Sequence, residues 1–182
     1  WWRTCYFIGG GMGLFLLILR FGTFESILFQ NVEASVQKGN FLSLFTDKKR
    51  FIKYFYCILM GLPVWYVVGI LILTGSEMSK ALNIQGEIVN GKTIMYCYLG
   101  LSVGDFLSGA LSQFLKSRKK TIYIFIGLAA IFTTVYLNSN GISANNFYLL
   151  CMILGFFGGY WAVFITMSSE QFGTNIRATL TT

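Results

Sequence analysis

Five long runs of apolar residues, separated by short polar links, organise this chain: Cys5–Phe24, Tyr54–Thr74, Thr93–Leu115, Thr121–Leu137 and Phe147–Met167. Each approaches the roughly 20 residues that an α-helix needs to cross a bilayer, because a rise of ~1.5 Å per residue must cover a hydrocarbon core of ~30 Å. The runs lack the period-two alternation of barrel strands and are too long for them. The pattern therefore predicts an all-α membrane protein, a multi-spanning helical bundle with five transmembrane helices. Pro63, the single proline, falls inside the second run and is expected to free a backbone carbonyl and kink that helix.

The third run breaks the apolar pattern at its centre with Asp105. A carboxylate at that depth costs about 2.5–3.5 kcal/mol on insertion scales, so it is expected to face protein or a water-filled path. Helical steps of three and four from Asp105 reach Tyr98, Ser102, Ser108, Gly109 and Ser112, while Leu99, Val103, Phe106, Leu107 and Phe114 fall between them. This spacing predicts one polar, small-residue face. Asp105, Ser102, Tyr98 and Ser108 are its candidate coupling or pathway-lining residues. The alternative is a structural hydrogen bond from Asp105 to a neighbouring helix.

Charge then orients the chain. The links after the first, third and fifth runs, together with Arg20 at the end of the first run, carry eleven of the fourteen Lys and Arg residues, and Arg3, Lys80 and Lys92 are the three on the opposite side. By the positive-inside bias the start faces outside and the end faces the cytoplasm. Residues 25–53 form the longest polar link, with two amphipathic pieces expected to lie on the inner membrane surface. Asn138–Asn146, which carries no charge, is expected to be a short outer turn.

Composition agrees. The 182 residues are 55% hydrophobic and 12% charged, where a soluble domain has about 25% charged residues. The net charge of +7 is spread between apolar runs rather than gathered in one solvated patch, which argues against nucleic acid as a partner. There is no histidine, and the four cysteines show neither CxxC nor metal-ligand spacing. With no nucleophile–base pair either, the chain is expected not to be an enzyme and to need no cofactor or metal. Trp65 and Tyr66 beside the proline, and Trp161 after Gly155, Gly158 and Gly159, are candidate substrate-pocket residues. Packing is the commoner role for such aromatics, and close helix contact the expected role of the glycines.

Several short motifs gain meaning from their order. Trp2-Arg3 opens the first run and Glu25-Ser26 follows it; Gly109 and Arg118 flank the turn after the third; Glu170 follows the fifth, with Arg177 seven residues on. In this order and topology the chain resembles the major facilitator superfamily, in particular its sugar-porter and metabolite:proton symporter branches. The resemblance implies helices six to ten of a twelve-helix fold. Residues 1–53 would then hold the sixth helix and the linker between the two halves, and residues 54–182 part of the C-terminal half. It further implies an internal piece of a longer protein, with seven helices elsewhere in the full chain.

Under that resemblance the chain belongs to a secondary active transporter in the cell (inner or plasma) membrane. It would move a small polar solute by alternating access, with protons as the candidate coupling ion and membrane lipid as its surroundings. Glu25, Arg118, Lys119, Glu170 and Arg177 would form a cytoplasmic gate network. Departures from the family pattern are Phe24 and Ile27 around the Glu-Ser pair, Gln113 where an acid is expected, and Gly173 where a proline is common. The competing class is a non-transporting multi-spanning protein, such as a receptor, scaffold or assembly subunit.

Overall fold

Polar residues at the ends of the apolar runs set where the helices begin. The computed structural model describes residues 2–20 and 43–172. The chain divides into two units, Trp1–Lys38 and Gly39–Thr182. The first contains α1, Trp2–Arg20, in which Trp2 and Tyr6 meet edge to face at 6.1 Å and the Arg3 guanidinium lies 5.3 Å from the Trp2 ring. The first amphipathic piece of the link, together with Glu25, lies outside the described residues, as does Arg177.

The second unit opens with a one-turn helix, α2 (Ser43–Thr46), followed by α3 (Lys48–Tyr66). Asp47 caps α3, accepting from Lys49 N at 2.9 Å. The helix therefore starts six residues before the apolar run, because a capping side chain rather than hydropathy fixes its first turn. Four residues after Pro63 the spiral loosens into a π-helical stretch, Val67–Ile72. The disturbance expected from the proline thus takes the form of a changed hydrogen-bond register, such as Leu73 N donating to Val68 O at 3.2 Å.

A short α4 (Gly75–Ala81) and a loop lead to α5 (Asn90–Phe114). Lys116 then turns the chain in the left-handed region (φ 48°), and α6 (Arg118–Leu137) starts at Ser117, whose side chain accepts from Lys120 N. The turn at 138–143 is pinned to the loop after α4 by Gln85 N to Ile142 O at 2.9 Å and Ala144 N to Gln85 O at 3.0 Å. The last apolar run is not one helix. It forms α7 (Ala144–Gly158) and α8 (Trp161–Glu170), interrupted at Gly159 and Tyr160.

All five apolar runs form helical stretches long and apolar enough to cross a membrane, the second and fifth counted across their irregular turns, and no strand occurs among the described residues. The chain is an all-α, multi-spanning membrane-embedded protein. Its tightest packing joins α5 to α7. A Cβ placed on Gly100 would overlap Met152 O, one on Gly104 would overlap Phe156 O, and one on Gly155 would overlap Cys97 O. Gly155 and Gly159 of the last run therefore serve close packing, as read from the sequence, whereas a Cβ on Gly158 would meet nothing within 4 Å. Two apolar clusters flank the break: one around Leu71, Ile72, Tyr136, Phe147 and Leu154, the other around Ile122, Phe125, Tyr160 and Val163.

Candidate functional site at a helix break

The break brings a half-buried carboxylate, a buried tyrosine and two tryptophans into one neighbourhood. Gly159 ends α7 with φ −75° and ψ 46°, and Tyr160 precedes α8 with φ −108° and ψ 10°. A side chain on Gly159 would overlap the backbone of Gly104 and Asp105, so the two helices cross at glycine. Interrupting a helix at membrane depth frees backbone N–H groups, each costing several kcal/mol if left without a partner in hydrocarbon (about 2–7 kcal/mol on transfer scales). One is met by Asp105: its Oδ1 accepts from Ala162 N, in the first turn of α8, at 3.2 Å. The carboxylate also lies at the positive end of that short helix, a favourable charge–dipole contact.

Tyr160 fixes the other side of the break. It is fully buried, and its hydroxyl donates to Met60 O of α3 at 2.8 Å. Trp161 then meets Trp65 of α3 edge to face at 5.9 Å and Phe164 at 5.2 Å. Asp105, Trp161 and Trp65 are thus linked in one chain of contacts through Ala162. Tyr66 is not part of it. It faces a groove between α3 and α6 lined by Pro63, Ile126 and Ala129.

The predicted polar face of α5 is only partly assembled. Its buried stripe is Thr93, Cys97, Gly100, Gly104 and Ser108, packed on α7, whereas Tyr98 and Ser102 are exposed and Asp105 is half-buried at the edge. The hydroxyls bond along their own helix: Ser102 Oγ donates to Tyr98 O at 2.9 Å and Ser108 Oγ to Asp105 O at 3.0 Å. Ser108 is therefore a packing residue. Tyr98, Ser102 and Asp105 share the open flank of the helix.

At the end of the bundle that carries the α5–α6 turn, Arg118 forms an ion pair with Glu170. Arg118 opens α6 and Glu170 closes α8, so each charge opposes the macrodipole of its own helix, and the pair offsets both mismatches. The Arg118 Nη1 atom in this pair is screened from solvent. Lys119 points instead into a separate cavity with Lys53 and Tyr56. Glu25 and Arg177, the other two members of the predicted gate, lie outside the described residues.

Two features escaped the sequence reading. The break itself was signalled only by Gly158-Gly159, a pair that serves close packing equally well. The tyrosines that satisfy stray carbonyls carried no signal at all. Tyr136 Oη donates to Leu71 O at 3.0 Å and Thr93 Oγ1 to Ile72 O at 3.2 Å, and together they close the open end of the second span. In comparisons with family models, curated proteins and solved structures, nothing matches this chain.

Proposed function

We propose that this protein is a secondary active transporter of the major facilitator type, moving a small polar solute by alternating access. The observation that carries the reading is the interrupted last span, whose second half begins against Asp105 at mid-membrane. Broken helices whose N-termini face acidic or anionic groups near the midplane are a recurrent way to build a solute or ion site within a bilayer. Asp105 is the coupling residue: protonation weakens its hold on the first turn of α8 and releases the break to move. Arg118 and Glu170 form the gate at the cytoplasmic end, and Trp161 with Trp65 flanks the solute. The order of the sequence motifs and the eleven-to-three distribution of Lys and Arg support this assignment, with the start outside and the end cytoplasmic.

A specific observation favours the competing class as well. The Asp105–Ala162 hydrogen bond is what a purely structural cap between helices would make. Uptake separates the two. The protein reconstituted in liposomes is expected to accumulate at least one member of a radiolabelled panel of sugars and organic acids when the lumen is alkaline, and to lose accumulation when a protonophore collapses the gradient. No uptake of any member, with correctly folded protein, would favour the non-transporting reading.

A further inference from the structure

Beyond transport, and independent of it, the seam between α3 and α6 has the form of a lipid site. These two helices each pack on α8 and hardly on one another, which leaves a seam open along their length. At its α8 end the seam holds a cavity of about 240 Å³ whose lining includes Lys53, Lys119, Tyr56, Tyr123 and Gln171. Cys57, Met60, Ile122 and Met167 supply the apolar part of the lining. Neither lysine forms an ion pair with a described residue. About one helical turn further along the same two helices, the seam continues as a groove of about 420 Å³ walled by Leu62, Pro63, Tyr66, Ile126 and Ala130, almost without polar surface.

Two ammonium groups with no ion-pair partner among the described residues, beside apolar lining and continued by an almost wholly apolar furrow, match one kind of ligand: an anionic head attached to an acyl chain. From Lys53 to Tyr66 is 13 residues, or roughly 20 Å of helix, close to the depth of one leaflet with its headgroup region, about half of ~40–45 Å. Basic pockets between membrane helices at the headgroup level recognise acidic lipids by this combination. We propose that this seam binds an anionic phospholipid, its phosphate between Lys53 and Lys119 and one acyl chain along Leu62, Tyr66 and Ala130. Free phosphate shares the head chemistry but has nothing to place in the groove.

Spin-labelled phosphatidylglycerol and phosphatidylcholine, each added to the protein in phosphatidylcholine vesicles, report this by the immobilised fraction of their spectra. The expected result is a preference for phosphatidylglycerol of about fivefold (~1 kcal/mol by the 1.4 kcal/mol-per-decade rule). Lys53→Ala/Lys119→Ala should abolish the preference, while Lys48→Ala/Lys49→Ala, the same charge change away from the cavity, should keep most of it. Ala130→Phe, which fills the furrow, should reduce immobilisation of phosphatidylglycerol with both lysines intact. Equal immobilisation of the two lipids would overturn the proposal, as would a preference that survives Lys53→Ala/Lys119→Ala. Displacement of the lipid by 10 mM inorganic phosphate would overturn it too, since the site would then recognise a free anion.

Discussion

In the proposed mechanism Asp105 carries two roles that one substitution can separate. Its carbonyl-like Oδ1 holds Ala162 N, and an asparagine offers the same acceptor without a titrating group. Asp105→Asn should therefore keep the cap in weakened form, as the protonated carboxyl does, and lose less than Asp105→Ala, which should lose about 1 kcal/mol, the usual worth of a helix cap. Chemical denaturation in detergent micelles compares the three proteins, and equal stability of Asp105→Ala and the parent would show that the cap contributes nothing. The buried hydroxyl of Tyr160 is a second residue-scale case. Tyr160→Phe leaves Met60 O without this donor, and interhelical hydrogen bonds in membranes average ~0.6 kcal/mol with a maximum near ~1.7. A loss within that range is expected in the same assay.

At the scale of elements, the α5–α7 contact depends on the absence of side chains. Gly100 and Gly155 each meet the carbonyl of a facing residue, so an added methyl must push the helices apart. Gly100→Ala or Gly155→Ala should each cost about 1–3 kcal/mol, the usual penalty for overpacking. Gly109→Ala, on the same helix but with open space around it, should cost nothing and supplies the comparison. The packing also explains why the polar face was only half legible. The sequence reading placed Asp105, Ser102 and Ser108 on one functional face because polarity stands out against an apolar background. In lipid, however, the buried face is chosen by size, since hydrocarbon solvates leucine as well as a neighbouring helix does. Gly100 and Gly104 therefore turned inward, rotating Ser102 and Tyr98 outward.

The five spans themselves were legible, because crossing hydrocarbon demands about 20 apolar residues whatever else the protein does. The interruption at Gly159 was not, since an apolar run does not reveal whether a glycine pair packs or breaks a helix. The Arg118–Glu170 pair was legible only as one of several candidate partners.

For the whole molecule, this ion pair is the testable link between architecture and motion. Its side chains remain 40% and 55% exposed, so screening keeps its direct contribution within about 1 kcal/mol. That is enough to bias a two-state equilibrium severalfold without locking it. Arg118→Glu/Glu170→Arg restores opposite charges and sets each in favour of its own helix dipole. The doubly swapped protein should be at least as stable as the parent, whereas either single reversal should be less stable. Membrane sidedness is checked by impermeant maleimide labelling in a Cys5→Ser background. Asn140→Cys should react from outside and Lys120→Cys only after the membrane is opened; the reverse pattern would invert the proposed orientation.

The central claim is that the open flank of α5 beside the break lines a water-filled path that changes sides. Ser102→Cys, one turn from Asp105 and exposed, tests this without knowledge of the solute when treated with a charged, membrane-impermeant methanethiosulfonate in the Cys5→Ser background. The account predicts reaction at Ser102→Cys, with a rate from the cytoplasmic side that rises severalfold when Arg118→Ala removes the gate pair. No reaction from either side, with or without the gate pair, would place this flank against lipid and contradict it.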